Sequence, residues 1–406
     1  MMKLSKRAAG IQASPTLAIT AKAKKLKAEG KDVLAFGAGE PDFDTPDHIK
    51  QAAIAAINAG FTKYTASAGT DELRSAIAAK LKADNGIDVT SAQVVVSNGA
   101  KHSLQNAFYA LLNDGDEVII PSPYWVSYPE MVKLAGGVPV IVETQEEDEF
   151  RLSPKVLEKM ISPKTRILVL CSPSNPTGSM YHEKDLRALL EVVVKKDILV
   201  ISDEIYEKLI YAGAKHISFA SLSAEALART ITINGLSKSA SMTGWRIGYA
   251  AGPVDVMKAI DNLQSHSASN PVSISQKAAL AAFTGDQAPV EKMRVEFEKR
   301  RDVMVKGLNA IDGVTCIMPE GAFYAFPNVS KHFGKQLNGK VIKNSTDFAA
   351  LFLDEDLVAV VPGADFGAAD YIRFSYATDL ATIEKGLARL KAFCAKLQPA
   401  PATAAA

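Results

Sequence analysis

The chain has 406 residues, of which 48% are hydrophobic and 22% charged, and its formal net charge is +1. This composition is ordinary for globular proteins and excludes disordered and collagen-like chains, and the lack of a basic excess argues against nucleic acid or a membrane as partner. Three widely spaced cysteines, Cys171, Cys316 and Cys394, are typical of free thiols in a reducing compartment. We therefore expect a cytoplasmic protein without a membrane span.

The two ends of the chain differ in composition from the rest. Residues 1–28 contain seven basic residues and no acid. Such a stretch can resemble a transit peptide, but organelle signals are usually richer in serine and arginine, so we interpret it as an arm with a basic surface helix. Residues 398–406, QPAPATAAA, form a low-complexity tail that we predict to be disordered.

Between residues 90 and 250, short β-rich runs alternate with helical patterns. Most of these runs are continuously apolar, as expected for strands that helices cover on both faces. The pattern predicts an α/β fold with a largely parallel sheet. The predicted strands span residues 94–97, 117–120, 138–142, 167–171, 198–202, 230–234 and 247–251.

After residue 288 the pattern changes. Residues 290–311 predict a long amphipathic helix, and residues 380–396 predict a closing helix. Between them lie shorter predicted strands at 322–326, 358–361 and 371–375. We predict a large α/β domain of residues 47–288 and a smaller α+β domain built from residues 1–46 and 289–397.

The segment 234–249, NGLSKSASMTGWRIGY, is the most informative for chemistry. A predicted strand runs into a turn that carries Lys238, and Arg246 follows eight residues later. A partly desolvated lysine near other cations has a lowered pKa and can attack a carbonyl as a neutral amine. The competing interpretation of Lys238 is an ordinary solvated surface lysine.

Other polar residues follow predicted strands in the same way. Asp203 lies at a strand end, where open α/β sheets bind ligands, although it could be only a helix cap. Asn175 lies in the turn SPSNPTG, which taken alone is more often a plain turn. Gly99 precedes a predicted helix over residues 102–112, whose first N–H groups can bind an anion. Together these features suit an enzyme that holds a phosphorylated aldehyde cofactor and traps it as an imine.

With these residues in view, the chain resembles the fold-type I, class I pyridoxal-phosphate-dependent aminotransferases, and among them the bacterial aspartate aminotransferase branch. The resemblance covers about nine tenths of the chain in one uninterrupted order. It implies the fold of that family, with a mostly parallel seven-stranded sheet in the large domain. The matching motifs are SPT (14–16), FGAGEPDFDTP (36–46), KYT (63–65), PSPYWVSYPEM (121–131), SPSNPTG (172–178), SDEIYE (202–207), NGLSKSASMTGWRIGYAAGP (234–253), GAFY (321–324), VPGADFG (361–367) and YIRFSYA (371–377).

The resemblance implies pyridoxal 5'-phosphate as cofactor and no metal. Lys238 would form the imine with it and move the substrate proton, and Asp203 would pair with the pyridine nitrogen. The other implied cofactor contacts are hydrogen bonds to the phenolic oxygen, a ring stack and phosphate ligands. Asn175 and Tyr206 would hydrogen-bond the phenolic oxygen, and Trp125 would stack on the ring. The phosphate would be bound by Arg246, Ser237 and the backbone of Gly99, Ala100 and Lys101, with Tyr64 reaching it from the neighbouring subunit of a homodimer.

The resemblance also implies the substrate contacts. Arg373 would hold the α-carboxylate through a bidentate fork, assisted by Gly39, Trp125 and Asn175. For the distal carboxylate, the animal-type enzymes use an arginine after an SNPP segment, but here SNPV (269–272) is followed by SISQK. In the bacterial branch this role falls to the positions that are here Ser14, Thr16 and Lys101. A lysine binds through one point, so we expect a broader substrate range.

The expected reaction is ping-pong transamination between L-aspartate and 2-oxoglutarate. One phosphate hydrogen bond is in doubt, because Gly235 stands where the animal-type pattern has a serine. Relatives that use prephenate carry a basic arm residue, whereas position 12 is glutamine, so prephenate is a secondary expectation. Aromatic or alanine transamination and C–S lyase activity on the same scaffold also stay open. A cofactor-sensing transcription regulator is a rival of a different class, but the resemblance begins at residue 14 and we expect no DNA-binding domain before it.

Overall fold

The computed structural model describes residues 4–11 and 15–400, without the side chains of residues 6, 7, 15–18 and 20. Fourteen α-helices lie in this described part of the chain. In chain order they are α1 (Lys6–Ala9), α2 (Pro15–Ala28), α3 (Asp47–Asn58), α4 (Asp71–Asn85), α5 (Ala100–Leu111), α6 (Ser127–Leu134), α7 (Pro154–Met160), α8 (Glu183–Lys195), α9 (Ala224–Arg229), α10 (Val254–Ser267), α11 (Ser273–Thr284), α12 (Ala288–Asn309), α13 (Ser345–Asp356) and α14 (Leu380–Lys396).

Fifteen strands are found within the same described residues. They are β1 (Leu34–Ala35), β2 (Val94–Ser97), β3 (Glu117–Ser122), β4 (Val138–Glu143), β5 (Thr165–Cys171), β6 (Leu199–Asp203), β7 (Thr230–Gly235), β8 (Gly248–Ala251), β9 (Tyr324–Ala325), β10 (Lys335–Leu337), β11 (Lys340–Val341), β12 (Val358–Ala359), β13 (Val361–Pro362), β14 (Ile372–Ser375) and β15 (Gln398–Pro399).

Seven of these strands form the main sheet, in the order β2-β8-β7-β6-β5-β3-β4. All neighbouring pairs are parallel except those of β8, which runs antiparallel to both β2 and β7. The seven strands predicted from apolar runs are all present, and each predicted end lies within two residues of the observed one. The predicted α/β fold with a mostly parallel seven-stranded sheet is therefore confirmed.

Alternate residues of the central strands feed two apolar layers, one on each face of the sheet. Val118 and Ile120 of β3 pack with Leu104 and Phe108 of α5. Ile119, between them in the chain, packs on the opposite face with residues of α7 and α8. Because successive side chains of a strand point to opposite faces, a strand covered on both sides must be apolar at every position. This is why continuous apolar runs predicted the sheet.

Local signals also account for the helices that position the site. The Thr70 hydroxyl accepts a hydrogen bond from the Leu73 N–H at 3.4 Å and so caps α4. Gly86, with φ at 67°, ends α4 in the left-handed conformation that glycine adopts without strain. The helix predicted at 102–112 is α5 and begins two residues earlier, directly after Gly99.

The second half of the chain packs around a separate aromatic core. Phe297 of α12, Phe348 and Phe352 of α13, and Phe393 of α14 are fully buried there. The predicted strand over 358–361 divides in two, because β12 pairs with β1 near the N-terminus whereas β13 pairs with β14. Residues 34–35 and 358–359 thus belong to one small sheet.

The prediction of a disordered tail is wrong at its beginning. Gln398 and Pro399 form β15, which pairs antiparallel with β10, and the Ala400 N–H donates to the Gly334 carbonyl at 3.0 Å. Unpaired backbone groups of β10 provide hydrogen-bond partners that the composition of the tail does not reveal. Residues 401–406 lie outside the described part. No helix of the described chain is long and apolar enough to cross a membrane.

Candidate active site

A cavity of about 480 Å³ lies beside the carboxyl ends of the parallel strands. Open α/β sheets bind ligands at this edge because the loops that leave parallel strands converge there. Eleven residues that the sequence singled out line this cavity, from loops that are distant along the chain. They are Gly39, Ala100, Lys101, Trp125, Asn175, Asp203, Tyr206, Ser237, Lys238, Arg246 and Arg373.

Two other predicted residues, Tyr64 and Gly99, are not among the residues that line this cavity. The Tyr64 side chain is 91% exposed on the surface of the single chain. Gly99 lies against the Arg246 guanidinium. Ser14 lies outside the described residues, and Thr16 is in α2 but its side chain is not described.

Lys238 follows β7 and extends into the cavity, where its Nζ donates a hydrogen bond to the Gly39 carbonyl. Burial lowers the pKa of its ammonium to about 8. Glu40 opposes this shift, while the positive charges of Arg373 and Arg246 add to it. At pH 7 the amine is therefore neutral in about a tenth of the molecules, roughly two hundred times the fraction of an ordinary lysine, and the neutral form is the one that acts as nucleophile or proton acceptor.

Asp203 ends β6 and is only 3% exposed. Burial raises the pKa of its carboxyl group to about 6, although two hydrogen bonds favour the ionised form. The Tyr128 hydroxyl donates to Oδ2 at 2.7 Å, and the Ile205 N–H donates to Oδ1 at 3.3 Å. A buried carboxylate held this way is a strong partner for a cation or a protonated ring nitrogen of a ligand.

Arg246 and Gly99 form an anion cradle at one end of the cavity. The Arg246 guanidinium is exposed, and its Nη1 donates to the Thr243 carbonyl at 2.8 Å. Gly99 has φ at 90°, and a Cβ at this position would lie 2.4 Å from Nη2 of Arg246. Only glycine therefore lets the guanidinium approach the N-terminus of α5, where free N–H groups and a cation can share one anion.

Arg373 lies in β14 and is 3% exposed. Its Nη1 donates to Oδ1 of Asn175 at 2.9 Å, and its Nη2 donates to the Gly37 carbonyl at 2.8 Å. Its Nε is buried and has no hydrogen-bond partner among the described residues. Because buried donors are nearly always satisfied in proteins, this fixed guanidinium is suited to an anionic ligand such as a carboxylate.

Trp125, Tyr206 and Tyr324 also line the cavity. The Lys101 ammonium lies 4.8 Å from the centroid of the Trp125 ring, a cation–π contact at the cavity edge. Burial and the charge of Arg246 lower the pKa of Lys101. The Tyr206 and Tyr324 hydroxyl oxygens lie 2.8 Å apart.

Several residues of the site were missed by sequence reasoning. Tyr128 and Tyr324 belong to the matching motifs, yet only the fold reveals that their hydroxyls reach Asp203 and Tyr206. Glu40, which accepts a hydrogen bond from the Thr243 hydroxyl at 2.9 Å, and Lys24 of α2 also line the cavity. The acid in GAGEPDF was a usable signal for Glu40, whereas nothing distinguished Lys24 from the other lysines of the basic helix.

The fold and site define an α/β enzyme in which a lysine amine of lowered pKa faces a buried carboxylate and two arginine anion sites. The family described as "Aminotransferase class I and II" matches residues 31–390. The chain belongs to this family, which confirms the resemblance found in its motifs.

Named relatives extend over nearly the whole chain. "Aspartate aminotransferase" of Geobacillus stearothermophilus is 54% identical and spans 97% of this chain and 99% of its own length. "Aspartate/prephenate aminotransferase" of Cereibacter sphaeroides is 49% identical over 98% of this chain and 100% of its own length. Among solved structures, the aspartate aminotransferase from Rhizobium meliloti superposes with a TM-score of 0.95 at 45% identity, over 98% of this chain and 100% of that one.

Proposed function

We propose that the protein is an aspartate aminotransferase that uses pyridoxal 5'-phosphate and transfers the amino group of L-aspartate to 2-oxoglutarate. The observation that carries this proposal is one cavity that holds Lys238, Asp203, Arg246 and Arg373 together. The names of the relatives support aspartate as the amino donor.

The residues fit the cofactor. Its phosphate would be held by Arg246 and the first N–H groups of α5, in the cradle that requires Gly99 to lack a side chain. Asp203 would hold the pyridine nitrogen, and Asn175 and Tyr206 would hold the phenolic oxygen, with Trp125 against the ring. When bound, this cofactor supplies an electron sink for the carbanion formed at the substrate α-carbon.

The charges that line the cavity fit the remaining ligand as well. Among the described lining residues, five are basic (Lys24, Lys101, Lys238, Arg246 and Arg373) and two are acidic (Glu40 and Asp203). After a phosphate at Arg246 and one carboxylate at Arg373, cations remain for a second carboxylate. The cavity is therefore better suited to aspartate and 2-oxoglutarate than to a monocarboxylic amino acid.

The chain's own residues then divide the work. Arg373 orients the substrate by its α-carboxylate, because its two Nη groups are already fixed by Asn175 and Gly37. Lys238 accepts the α-proton at Nζ, since a pKa of about 8, lowered from the ordinary lysine value, lies close enough to physiological pH for the amine both to take up and to release a proton. Lys101 holds the distal carboxylate as a single-point clamp, together with Ser14 and Thr16 of the arm.

Prephenate or an aromatic amino acid is the second candidate. One observation favours a range beyond aspartate: the described cavity offers lysines, not an arginine fork, to the distal end of the substrate. A lysine is a point charge on a flexible stem and discriminates less sharply among side chains than a bidentate arginine.

We also infer a homodimer in which Tyr64 completes the neighbouring subunit's phosphate site. Its side chain is 91% exposed in the single chain and so is free to contact a neighbouring subunit. A cytoplasmic location is inferred from the three free cysteines, Cys171, Cys316 and Cys394.

The test is the first half of the reaction. Aspartate alone, added to the cofactor-loaded protein, should convert the absorbance of the aldehyde form of the cofactor to that of the amine form, with release of oxaloacetate. Lys238→Ala should abolish this conversion, whereas the exposed Lys159→Ala should not. No conversion in the intact protein would contradict the proposal.

A panel of substrates then ranks the rival activities. The ratio kcat/KM should be highest for aspartate with 2-oxoglutarate, and lower for alanine and the aromatic amino acids. Prephenate offered with glutamate, and cystathionine offered alone, test the remaining activities. A higher kcat/KM for prephenate, or release of pyruvate and ammonia from cystathionine, would replace aspartate transamination as the assigned reaction.

A further inference from the structure

Tyr324 lies where the two halves of the site meet. It belongs to β9 in the second half of the chain, is 1% exposed and lines the cavity. Its hydroxyl oxygen is 2.8 Å from that of Tyr206, which lies 118 positions earlier in the chain, in the loop after strand β6 of the main sheet. Its ring lies 4.4 Å from the Arg373 guanidinium carbon, measured to the ring centroid. One side chain therefore contacts both the carboxylate site and the cofactor side.

We propose that Tyr324 is a positioning residue that couples these two sites, its ring fixing Arg373 and its hydroxyl directing the proton of Tyr206 into the cavity. The inference rests on the proposed function, because it assigns Tyr206 to an oxygen of the cofactor and Arg373 to the substrate carboxylate.

The hydroxyl contact determines what Tyr206 can donate. Burial raises the pKa of both phenols, so both stay protonated across the physiological range. Each hydroxyl has one proton, and when the Tyr324 hydroxyl donates to Tyr206, the Tyr206 proton is free to point into the cavity. A hydroxyl that accepts one hydrogen bond becomes a better donor in the next. Tyr324 would thus strengthen the hydrogen bond from Tyr206 to an anionic oxygen.

The ring contact serves Arg373. The guanidinium contacts the rings of both Tyr324 and Phe366, and the Phe366 centroid lies 5.0 Å from the guanidinium carbon. Two cation–π contacts restrict the movement of the guanidinium, and its N–H groups stay available to a carboxylate. Gly39 leaves room for this arrangement, because a Cβ there would lie 3.1 Å from the Tyr324 hydroxyl.

These two roles can be separated by substitution. Tyr324→Phe removes the hydroxyl and keeps the ring. Tyr324→Leu removes both the hydroxyl and the aromatic face. If the coupling is as described, the first change affects Tyr206 alone and the second affects Arg373 as well.

The pH at which the absorbance of the bound cofactor changes reports the hydrogen bond from Tyr206. The titratable or charged groups near Tyr206 are Tyr324, Arg373, Cys171 and Lys238, and of these only Tyr324 is altered by the substitution. Without the Tyr324 hydroxyl, Tyr206 is a weaker hydrogen-bond donor and stabilises the deprotonated form of the bound cofactor less. Tyr324→Phe should therefore move this midpoint upward by roughly half a pH unit to one unit. It should also lower kcat about fivefold, with KM for aspartate within about twofold.

The same measurements are made on Tyr206→Phe and on the double variant. Once Tyr206 has lost its hydroxyl, removal of the Tyr324 hydroxyl should not move the midpoint further. Tyr324→Leu should additionally raise KM about tenfold for both aspartate and 2-oxoglutarate. Tyr211→Phe is the matched control, since Tyr211 is buried in the same aromatic core but does not line the cavity. It should leave the midpoint unchanged.

The outcomes separate this inference from the proposed function. If aspartate alone converts the intact protein but Tyr324→Phe keeps the wild-type midpoint, the coupling is wrong and the function stands. Additive midpoint shifts in the double variant overturn it as well. If aspartate gives no conversion, the function fails, yet the midpoints still test the contact with Tyr206. Should Tyr324→Leu fail to fold, the two phenylalanine variants decide.

Discussion

At the scale of single residues, burial shifts two groups of the site in chemically opposite ways. Lys238 loses its proton more readily and Asp203 keeps its proton more firmly, because a low-dielectric environment disfavours the charged form of each. A ligand that supplies a positive partner offsets this cost for Asp203. Binding of such a ligand should therefore stabilise the ionised carboxylate and the fold together.

The lowered pKa of Lys238 can be measured directly in the cofactor-free protein. Modification by an amine-specific reagent should be half-maximal near pH 8, since only the neutral amine reacts. An ordinary lysine, with a pKa of about 10.4, is almost fully protonated at that pH. Mass spectrometry of the peptide that contains Lys238, compared with peptides that contain exposed lysines, gives the profile. A midpoint above about pH 9.5 would contradict the assignment.

The raised pKa of Asp203 predicts a gain in stability when its charge is removed. The folded pKa, about 6, exceeds the ordinary 3.8. Folding thus favours the protonated form of Asp203. The contribution of this carboxyl group to the free energy of unfolding is fully present below about pH 4 and is lost as the pH rises through 6. Two pKa units correspond to about 3 kcal/mol.

Asp203→Asn should therefore raise the free energy of unfolding of the cofactor-free protein by up to about 3 kcal/mol at pH 8, and hardly at all at pH 4. Urea denaturation at the two pH values measures this difference. Asp148→Asn, at an exposed position, is the control and should show no such dependence. The same Asp203 variant should bind the cofactor more weakly, and equal stabilisation at both pH values would refute the assignment.

At the scale of elements, strand ends and the turns that follow them place the chemistry. The turn after β2 has φ at 90° at Gly99 and brings the start of α5 against Arg246. Strand β8 packs closely against this turn, because Gly248 has no side chain: a Cβ there would lie 2.1 Å from the Ala100 nitrogen. Gly99 in this turn and Gly248 of the adjacent strand β8 thus let the anion cradle form.

Gly99→Ala should weaken cofactor binding at least tenfold, because the new methyl group would displace the Arg246 guanidinium. Titration of the cofactor-free protein with pyridoxal 5'-phosphate measures the dissociation constant. Gly115→Ala is a matched control, since Gly115 has φ at 91° but nothing within 4 Å of a Cβ there. It should cost about 1 kcal/mol of stability and leave the dissociation constant unchanged. Equal weakening by both variants would assign the effect to backbone strain.

At the scale of the whole molecule, the site is assembled from both halves of the chain and, as we propose, from two chains. Arg373 reaches Asn175 across 198 residues of sequence. Arg300 of α12 pairs with Asp42 at 2.7 Å and stacks 5.1 Å from the centroid of the Phe43 ring. These contacts join the segment that carries Gly39 to the second half of the chain, so both halves must be folded before the cavity exists.

Mixing of subunits tests the shared site. Chains with Lys238→Ala should be inactive, and chains with Tyr64→Ala should be weakly active at limiting cofactor. In a mixed dimer one of the two sites keeps both Lys238 and the partner's Tyr64, so random mixing should restore about a quarter of wild-type activity. A chain with both substitutions, mixed with Lys238→Ala, should restore nothing. Failure of the first mixture to regain activity, although mixed dimers form, would place Tyr64 outside the site.

The strands and the strand-end residues were predictable because their signals are local. A strand covered on both faces needs an apolar residue at every position, and this holds whatever the strand order. Asp203, Lys238 and Gly99 could be singled out in the same way, since each follows such a run. Their family motifs then suggested a role for each.

The remaining features depend on contacts between distant parts of the chain. Packing sets the antiparallel direction of β8, the pairing of β15 with β10, and the hydroxyl contacts of Tyr128 and Tyr324. No short stretch of sequence contains the information for such contacts. The pKa shifts of Lys238 and Asp203 are of the same kind, because desolvation depends on everything that surrounds a group. The sequence by itself determined which residues could react, and the tertiary structure decided which of them meet, since proximity in space arises only when the sheet and the aromatic core have formed.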